Sequence, residues 1–222
     1  MINSKSHLPD VYIPVLIDRM LDASDHNMVT GYDSSKTISW AALREAETLT
    51  DTNYIDYIIE KINIEKNRKR RHFMYFIVYR ICENTPNQKG LEFLIDRIDK
   101  ETDKYVVSGI LDGLIELHKP AETNLDKIFA ATKHKTWQIW FSAISALQNT
   151  KNPKVEELMM EIIDNEPLEK SYKISNAVAV LYNCGTTKCI PSLERQLQNK
   201  SRNIKSEVKE TIAVLKKKFN LQ

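Results

Sequence analysis

Apolar residues recur along this chain at a spacing of 33 or 34 positions, from about residue 73 to the C-terminal end. Phe73, Val106 and Ile139 lie 33 positions apart. Four other series follow the same step of 33 twice and then continue by two steps of 34. They are Met74, Val107, Trp140, Ile174 and Val208; Ile77, Ile110, Ala143, Ala177 and Thr211; Val78, Leu111, Ile144, Val178 and Ile212; and Ile81, Leu114, Leu147, Leu181 and Leu215. Such a period is typical of a helical repeat array, in which each unit buries its apolar face against its neighbours. It therefore predicts an all-α fold, a right-handed α-solenoid of antiparallel helix pairs with about five to six units.

The clearest predicted unit is a helix, a short turn and a second helix. Apolar residues between 137 and 147 have the spacing of a helix with one buried face. Asn152 then stands where a helix cap is expected, and Pro153 occupies the first helical position. Val155, Leu158 and Ile162 continue as one stripe on the second helix.

The same register divides the chain into a leading segment and a repeat array. Residues 1–36 are predicted to form an N-terminal helix of about 11–22, with Pro14 in its first turn or kinking it, and a polar loop of about 23–37. Ser39 is the expected cap of the next helix. The array spans 37–222, with units of about 37–65, 67–102, 103–134, 135–167 and 168–199, and a capping helix at 200–222.

Composition excludes several classes of protein. Apolar residues make up 42% of the chain, which is too high for a disordered protein. The N-terminal residues lack the pattern of a secretory signal, and no stretch approaches the roughly 20 apolar residues that span a bilayer. Three cysteines form no disulfide framework or common zinc pattern. A soluble cytoplasmic protein without membrane association is therefore expected.

The unit at about 137–164 resembles the short bacterial type of HEAT-like repeat. That family has an aromatic residue, small residues leading to Ala-Leu, a turn with proline, and leucine-like residues four apart in the second helix. The matching residues here are Trp137, Ala143, Ala146, Leu147, Pro153, Leu158 and Ile162. The usual arginine of the first helix is absent, since Phe141 or Ser142 stands there. The resemblance covers about 150 residues and implies a scaffold rather than a particular activity.

Charge is divided between the two kinds of helix, although the net charge is only +2. The first helices taken together carry an excess of Lys and Arg, and most second helices carry an excess of Asp and Glu. In HEAT-like arrays the second helices line the concave face, so the resemblance implies an acidic wall that attracts a basic protein. The ordinary charge of soluble helices is the alternative explanation. The candidate residues of this wall are Glu92, Asp96, Asp99, Asp126, Glu157, Glu161 and Asp164.

Two other features are candidates for ligand contacts. The densest basic cluster, with a smaller one two repeats later, predicts contacts to an anionic ligand, or else a solvated helix start; its residues are Arg68, Lys69, Arg70, Arg71, Lys133 and Lys135. Trp137 is a candidate aromatic anchor for a partner, or alternatively packs in the core. Adjacent Glu156 and Glu157 point to different sides of a helix and so form no acid–base pair.

The sequence favours a non-enzymatic scaffold that binds another protein, with an adaptor or a toxin-neutralising immunity protein as specific versions. No metal-ligand spacing, phosphate loop or nucleophile motif occurs, so no catalytic residue, metal or cofactor is predicted. The alternative is a nucleic-acid-binding protein similar to HEAT-like DNA glycosylases that act on alkylated bases. Those enzymes carry paired tryptophans and an Asp in a basic cleft; Trp137 and Trp140 are present here, but no Asp follows within two helical turns.

Overall fold

The computed structural model describes residues 8–26 and 33–221. Within these ranges the regular structure is helical, and the sole extended pairing is an isolated bridge between Lys119 and Thr150. The all-α prediction is therefore confirmed. The chain divides into two compact units, residues 1–113 and 114–222, which are described separately below. Of the predicted polar loop at 23–37, positions 27–32 lie outside the described residues, and a short 3₁₀ turn covers Ser34–Lys36.

The described part of the first unit contains six α-helices: α1 (Pro9–Leu21), α2 (Ile38–Glu47), α3 (Asn53–Lys61), α4 (Arg68–Asn84), α5 (Gln88–Arg97) and α6 (Lys104–Gly113). Pro9 occupies the first turn of α1, whereas Pro14 lies inside the helix, beyond the first turn. The expected cap at Ser39 is wrong. Thr37 caps α2 instead, because its Oγ1 accepts the amide of Trp40 at 3.2 Å.

The described part of the second unit also contains six α-helices: α7 (Asp126–Thr132), α8 (Trp137–Ser145), α9 (Pro153–Asn165), α10 (Tyr172–Cys184), α11 (Ile190–Arg195) and α12 (Arg202–Lys218). Two 3₁₀ turns flank α11, at Thr187–Cys189 and Gln196–Gln198. The predicted start of α9 is confirmed: Asn152 Oδ1 accepts the amide of Lys154 at 3.1 Å, and Pro153 is the first helical residue. Proline suits that position because its missing N–H would have no helical partner there.

The repeated apolar positions form the core of each unit. Nearly all members of the 33-residue series are buried; Phe73 and Trp140 are only partly so. Burial of each large aliphatic side chain contributes roughly 1.5–3 kcal/mol, so the periodic stripe is a main source of stability. The fully enclosed members of the series are Ile77, Val78, Ile81, Ile110, Leu111, Leu114, Ala143, Ile144, Leu147, Ile174, Ala177, Leu181, Val208 and Leu215.

The sequence period also appears in hydrogen bonds between residues one repeat apart. In the first unit, Lys89 Nζ donates to Asp56 Oδ1 at 2.7 Å over 33 positions, and Asn84 Nδ2 donates to the carbonyl of Leu49 at 2.9 Å over 35. The second unit has comparable bonds from Asn149 to Ile115 (3.0 Å), Asn176 to Phe141 (3.2 Å), Asn183 to Gln148 (2.8 Å) and Gln196 to Ile163 (3.0 Å). Successive helix pairs within each unit are thus bonded in register.

Gly90 provides a test of the packing between α4 and α5. A Cβ atom at this position would collide with Cys82 Sγ and lie 3.1 Å from Ile55 Cδ1. We expect Gly90→Ala to lower the free energy of unfolding by about 1–3 kcal/mol through overpacking, although alanine favours helix. Urea unfolding measures this change. Cys82→Ala removes the colliding sulfur, so the double variant should lose less stability than the two single effects added together; strict additivity would contradict this packing.

Candidate functional site

The predicted acidic residues of the first unit lie on or just after α5. Glu92 is exposed, and its Oε1 accepts a hydrogen bond from Gln88 Nε2 at 2.7 Å. Asp96 forms an ion pair with Lys100, one helical turn later. Asp99 is exposed and follows the end of the helix. Their role in binding a partner stays a prediction.

In the second unit, the four predicted acids divide between structural and exposed positions. Asp164 accepts a hydrogen bond from Ser192 Oγ at 2.9 Å and lies 3.6 Å from Arg195 Nε, so it ties α9 to α11. Asp126 is the exposed first residue of α7. Glu157 and Glu161 are exposed on α9, and within residues 8–26 and 33–221 neither carboxylate has an ion-pair or hydrogen-bond partner.

Glu157 and Glu161 line a cleft of about 440 Å³, which we call the α7–α9 cleft. On the α7 side it is lined by Phe129, Ala130 and Lys133, and on the α9 side by Lys154, Glu157, Leu158 and Glu161. The α9 residues share one face because they are spaced three or four positions apart. Apolar side chains thus lie between two acids and two lysines, so the cleft is of mixed charge rather than purely acidic.

Glu156 and its neighbour Glu157 lie in different environments, since Glu156 is buried and Glu157 is exposed. The Glu156 side chain is buried, and its Oε1 accepts the amide of Thr186 at 2.7 Å and the hydroxyl of the same residue at 2.8 Å. It therefore attaches α9 to the turn after α10. The prediction that Glu156 and Glu157 point to different sides is confirmed. The sequence placed Leu158 in the apolar stripe of its helix and assigned no role to Phe129 or Lys154, although the spacing of Lys154 from Glu157 was a usable signal.

The predicted anion-binding cluster at the start of α4 is largely neutralised within the first unit. Arg68 pairs with Asp103 at 2.9 Å, and Arg70 pairs with Glu65 at 3.1 Å and with Asp18. These acids offset the unfavourable placement of cations near a helix N-terminus. Lys69 is exposed and, with Arg68, lines a cavity of about 450 Å³. Lys135 is exposed between α7 and α8. Anion binding by these residues stays a prediction.

Arg71, the third arginine of this cluster, belongs to a buried polar network. Its Nε atom donates to Glu101 Oε1 at 3.1 Å, and the Glu101 side chain is only 3% exposed. Tyr75 Oη donates to the same oxygen at 2.7 Å and accepts from Arg97 Nε at 2.9 Å. Burial and the neighbouring carboxylate raise the pKa of Tyr75 well above its usual range. The network joins α4, α5 and the segment before α6, which gives Arg71 a structural role.

Trp137, the predicted aromatic anchor, is 60% exposed at the start of α8. It belongs to what we call the aromatic patch: Trp137, Trp140, Phe141 and Tyr172. Phe141 is central, with ring centroids 6.3 Å from Trp137, 6.2 Å from Trp140 and 6.4 Å from Tyr172. Tyr172 is 64% exposed at the start of α10. The sequence did not link Tyr172 to Trp137, because the two residues begin different helices.

The three cysteines are free thiols and are at least partly buried. Burial raises the pKa of Cys82 and of Cys184 to about 11 and that of Cys189 to about 12, so these thiols are protonated at neutral pH. Among the described residues, no three His, Cys, Asp or Glu side chains are grouped closely enough to hold a metal ion. No helix in the described ranges is both long and apolar enough to cross a membrane.

Comparisons with solved structures concern the fold alone. An engineered protein solved by the Northeast Structural Genomics Consortium is similar at a TM-score of 0.50 and 14% sequence identity, over 92% of this chain and 96% of that one. A designed armadillo repeat protein gives a TM-score of 0.48 and 14% identity, over 91% of this chain and 99% of that one. No protein-family model matches the sequence, and no curated protein matches it. The helical repeat fold itself is seen in the described residues, as successive α-helices joined by hydrogen bonds between positions one repeat apart.

Proposed function

We propose that this protein is a non-enzymatic scaffold and that its α7–α9 cleft binds a segment of another protein with basic and apolar side chains. The observation that carries the proposal is the state of the acids on α9. Asp164 and Glu156 are bonded to neighbouring elements, whereas Glu157 and Glu161 are exposed and unpaired on the wall of a cleft. Carboxylates in that position are available to lysine or arginine side chains of a partner.

The composition of the cleft suggests how such a segment is selected. Phe129 and Leu158 offer apolar surface that a partner's side chain would cover. The two acids would speed the approach of a basic segment and disfavour an acidic one. Lys133 and Lys154 line the same cleft, so the basic side chains of the segment would have to lie beside Glu157 and Glu161 and away from these lysines.

The HEAT-like type and the adaptor or immunity role are part of the same proposal. The residues that resemble the family, including Trp137, Ala143 and Pro153, lie on or beside the consecutive helices α8 and α9, as a HEAT-like pair requires. The proposal also places the protein in the cytoplasm. Nucleic-acid binding has less support, because Arg68, Arg70 and Arg71 are all paired with carboxylates.

Reversing the two free acids should abolish most of the binding. The probe is a fluorescent peptide in which lysines surround a central leucine and phenylalanine, with affinity measured by fluorescence anisotropy. We expect Glu157→Lys together with Glu161→Lys to weaken binding by about tenfold or more, since attraction becomes repulsion. Because salt screens this repulsion, the remaining affinity should no longer fall as salt is added, and should rise instead.

A matched control separates this site from a general effect of charge. Glu194→Lys with Glu210→Lys makes the same change at exposed acids on α11 and α12. This control should bind the peptide nearly as well as the unaltered protein. Equal weakening in both double variants would refute a specific role for the cleft.

A further inference from the structure

The aromatic patch leaves much apolar surface exposed in the second unit. The side chains of Trp137 and Tyr172 are 60% and 64% exposed, and each ring packs against the central Phe141. Trp and Tyr are the residues most often found as energetic anchors of protein interfaces. Two such residues at the starts of neighbouring helices indicate a surface that gains energy when it is covered.

Two lysine side chains lie against the rings of the patch, and their positive charge favours a partner with negative charge. Lys170 Nζ lies 5.7 Å from the ring centroid of Tyr172, and Lys173 Nζ lies 5.5 Å from that of Trp140. Lys173 also pairs with Glu166 at 3.4 Å, whereas Lys170 is exposed and has no carboxylate partner among the described residues. A partner with negative charge beside an apolar side chain would match both features.

We propose that the aromatic patch is a second docking surface and that it binds an acidic protein segment. In that complex an apolar side chain of the segment packs on Trp137, and its carboxylates pair with Lys170 and neighbouring lysines. This proposal is independent of the α7–α9 cleft, which is assigned to a basic segment. It requires only residues of the second unit.

The positions of the lysines favour a peptide over single-stranded nucleic acid. Bases bind aromatic side chains by stacking on the ring face. Lys170 and Lys173 already cover a face of Tyr172 and of Trp140, so bases stacked in succession along the patch would have to displace them. Carboxylates, by contrast, approach the ammonium groups without uncovering the rings.

The test uses the intact protein labelled with ¹⁵N and three probes. One is a short peptide of Asp and Glu around a central leucine and phenylalanine; the second replaces each acid by its amide; the third is a thymidine oligonucleotide. The indole N–H signals of Trp40, Trp137 and Trp140 report binding by NMR. We expect the acidic peptide to shift the Trp137 signal and leave that of Trp40 in place.

Two variants and one control locate the surface. Trp137→Ala should weaken binding of the acidic peptide by about tenfold or more, as loss of an anchor does. Lys170→Glu should also weaken it, and this surface change keeps the aromatic packing intact. Tyr182→Ala removes another exposed aromatic residue, near the far end of α10, and should have little effect.

Several outcomes would overturn the proposal. These are the absence of any Trp137 shift, equal affinity for the amide peptide, tighter binding of the oligonucleotide, and unchanged affinity in Lys170→Glu. A Trp137 shift that grows with protein concentration without any probe would assign the patch to a second copy of this chain instead.

Discussion

Replacing Glu101 by alanine is expected to lower the free energy of unfolding by about 3–5 kcal/mol, the usual cost of removing one partner from a buried ion pair. The Glu101 side chain is 3% exposed, and the side chain of Arg71 is 16% exposed. Without the carboxylate, the guanidinium of Arg71 loses its charged partner, and Tyr75 Oη loses the acceptor that lies 2.7 Å away. Both groups are too enclosed for water to replace those contacts fully.

This loss should appear in the first unit and exceed that of an exposed ion pair. In a background with Trp137→Phe and Trp140→Phe, the remaining Trp40 lies on α2 and reports urea unfolding of the first unit by fluorescence. Asp56→Ala is the control, because it breaks an ion pair with Lys89 that is over 60% exposed on both sides, and it should cost less than about 1 kcal/mol. Similar losses for Glu101→Ala and Asp56→Ala would contradict a structural role for the buried network.

The second large effect is a pH dependence that comes from Lys119. This residue is 0% exposed, and its Nζ atom donates to the carbonyls of Leu114 and Leu117, both at 2.7 Å. Burial lowers the pKa of Lys119 to about 7, opposed by the charge of Glu116. In the unfolded chain a lysine has a pKa of about 10.4. Between these values the unfolded chain binds more protons than the folded protein, so the free energy of unfolding rises with pH.

Lys119→Met isolates this contribution. We expect the stability of the unaltered protein, relative to the methionine variant, to rise by up to about 4 kcal/mol between pH about 7 and about 10. The two carbonyl acceptors favour the ammonium form, so the measured rise should fall below that limit. Urea unfolding of both proteins at several pH values gives the difference and cancels the titration of other groups.

Lys188→Met is the matched control, because Lys188 is exposed. The free energy of unfolding of Lys188→Met should change with pH by the same amount as that of the unaltered protein. If the free energy of unfolding of Lys119→Met also runs parallel to that of the unaltered protein, the amine of Lys119 keeps an ordinary pKa in the folded protein, which would contradict the expected pH dependence.

The repeat spacing predicted the core well because burial of one helix face imposes a period on the sequence. Ile77, Ile110 and Ile144 were assigned to the core from spacing alone, and all three are fully buried. Local capping was predicted less well. Asn152 was identified because Pro153 follows it. Ser39 was the expected cap although Thr37 fills that position, since both residue types cap helices and the exact start of a helix depends on packing.

The candidate site was only partly predictable from the sequence, because most pairs of polar side chains that bond to each other are separated by distances that follow no sequence period. Arg71 was a candidate for contacts to an anionic ligand, and its partner Glu101 lies 30 positions away, which is outside the repeat register. Lys119 was not singled out at all, since a fully buried lysine contradicts the usual preference of that residue. Glu157 and Glu161 were candidates from their helix, but only the fold reveals that Asp164 is engaged and that they are not.

The most direct test of the proposed function is to map the basic peptide on the ¹⁵N-labelled protein by NMR chemical-shift perturbation. We expect shifts of backbone amides around Phe129, Ala130 and Leu158, with no comparable change in the first unit. These shifts should disappear when Glu157→Lys and Glu161→Lys are combined and persist in the Glu194→Lys, Glu210→Lys control. Perturbations that avoid α7 and α9, or that survive reversal of the two acids, would contradict binding in the α7–α9 cleft.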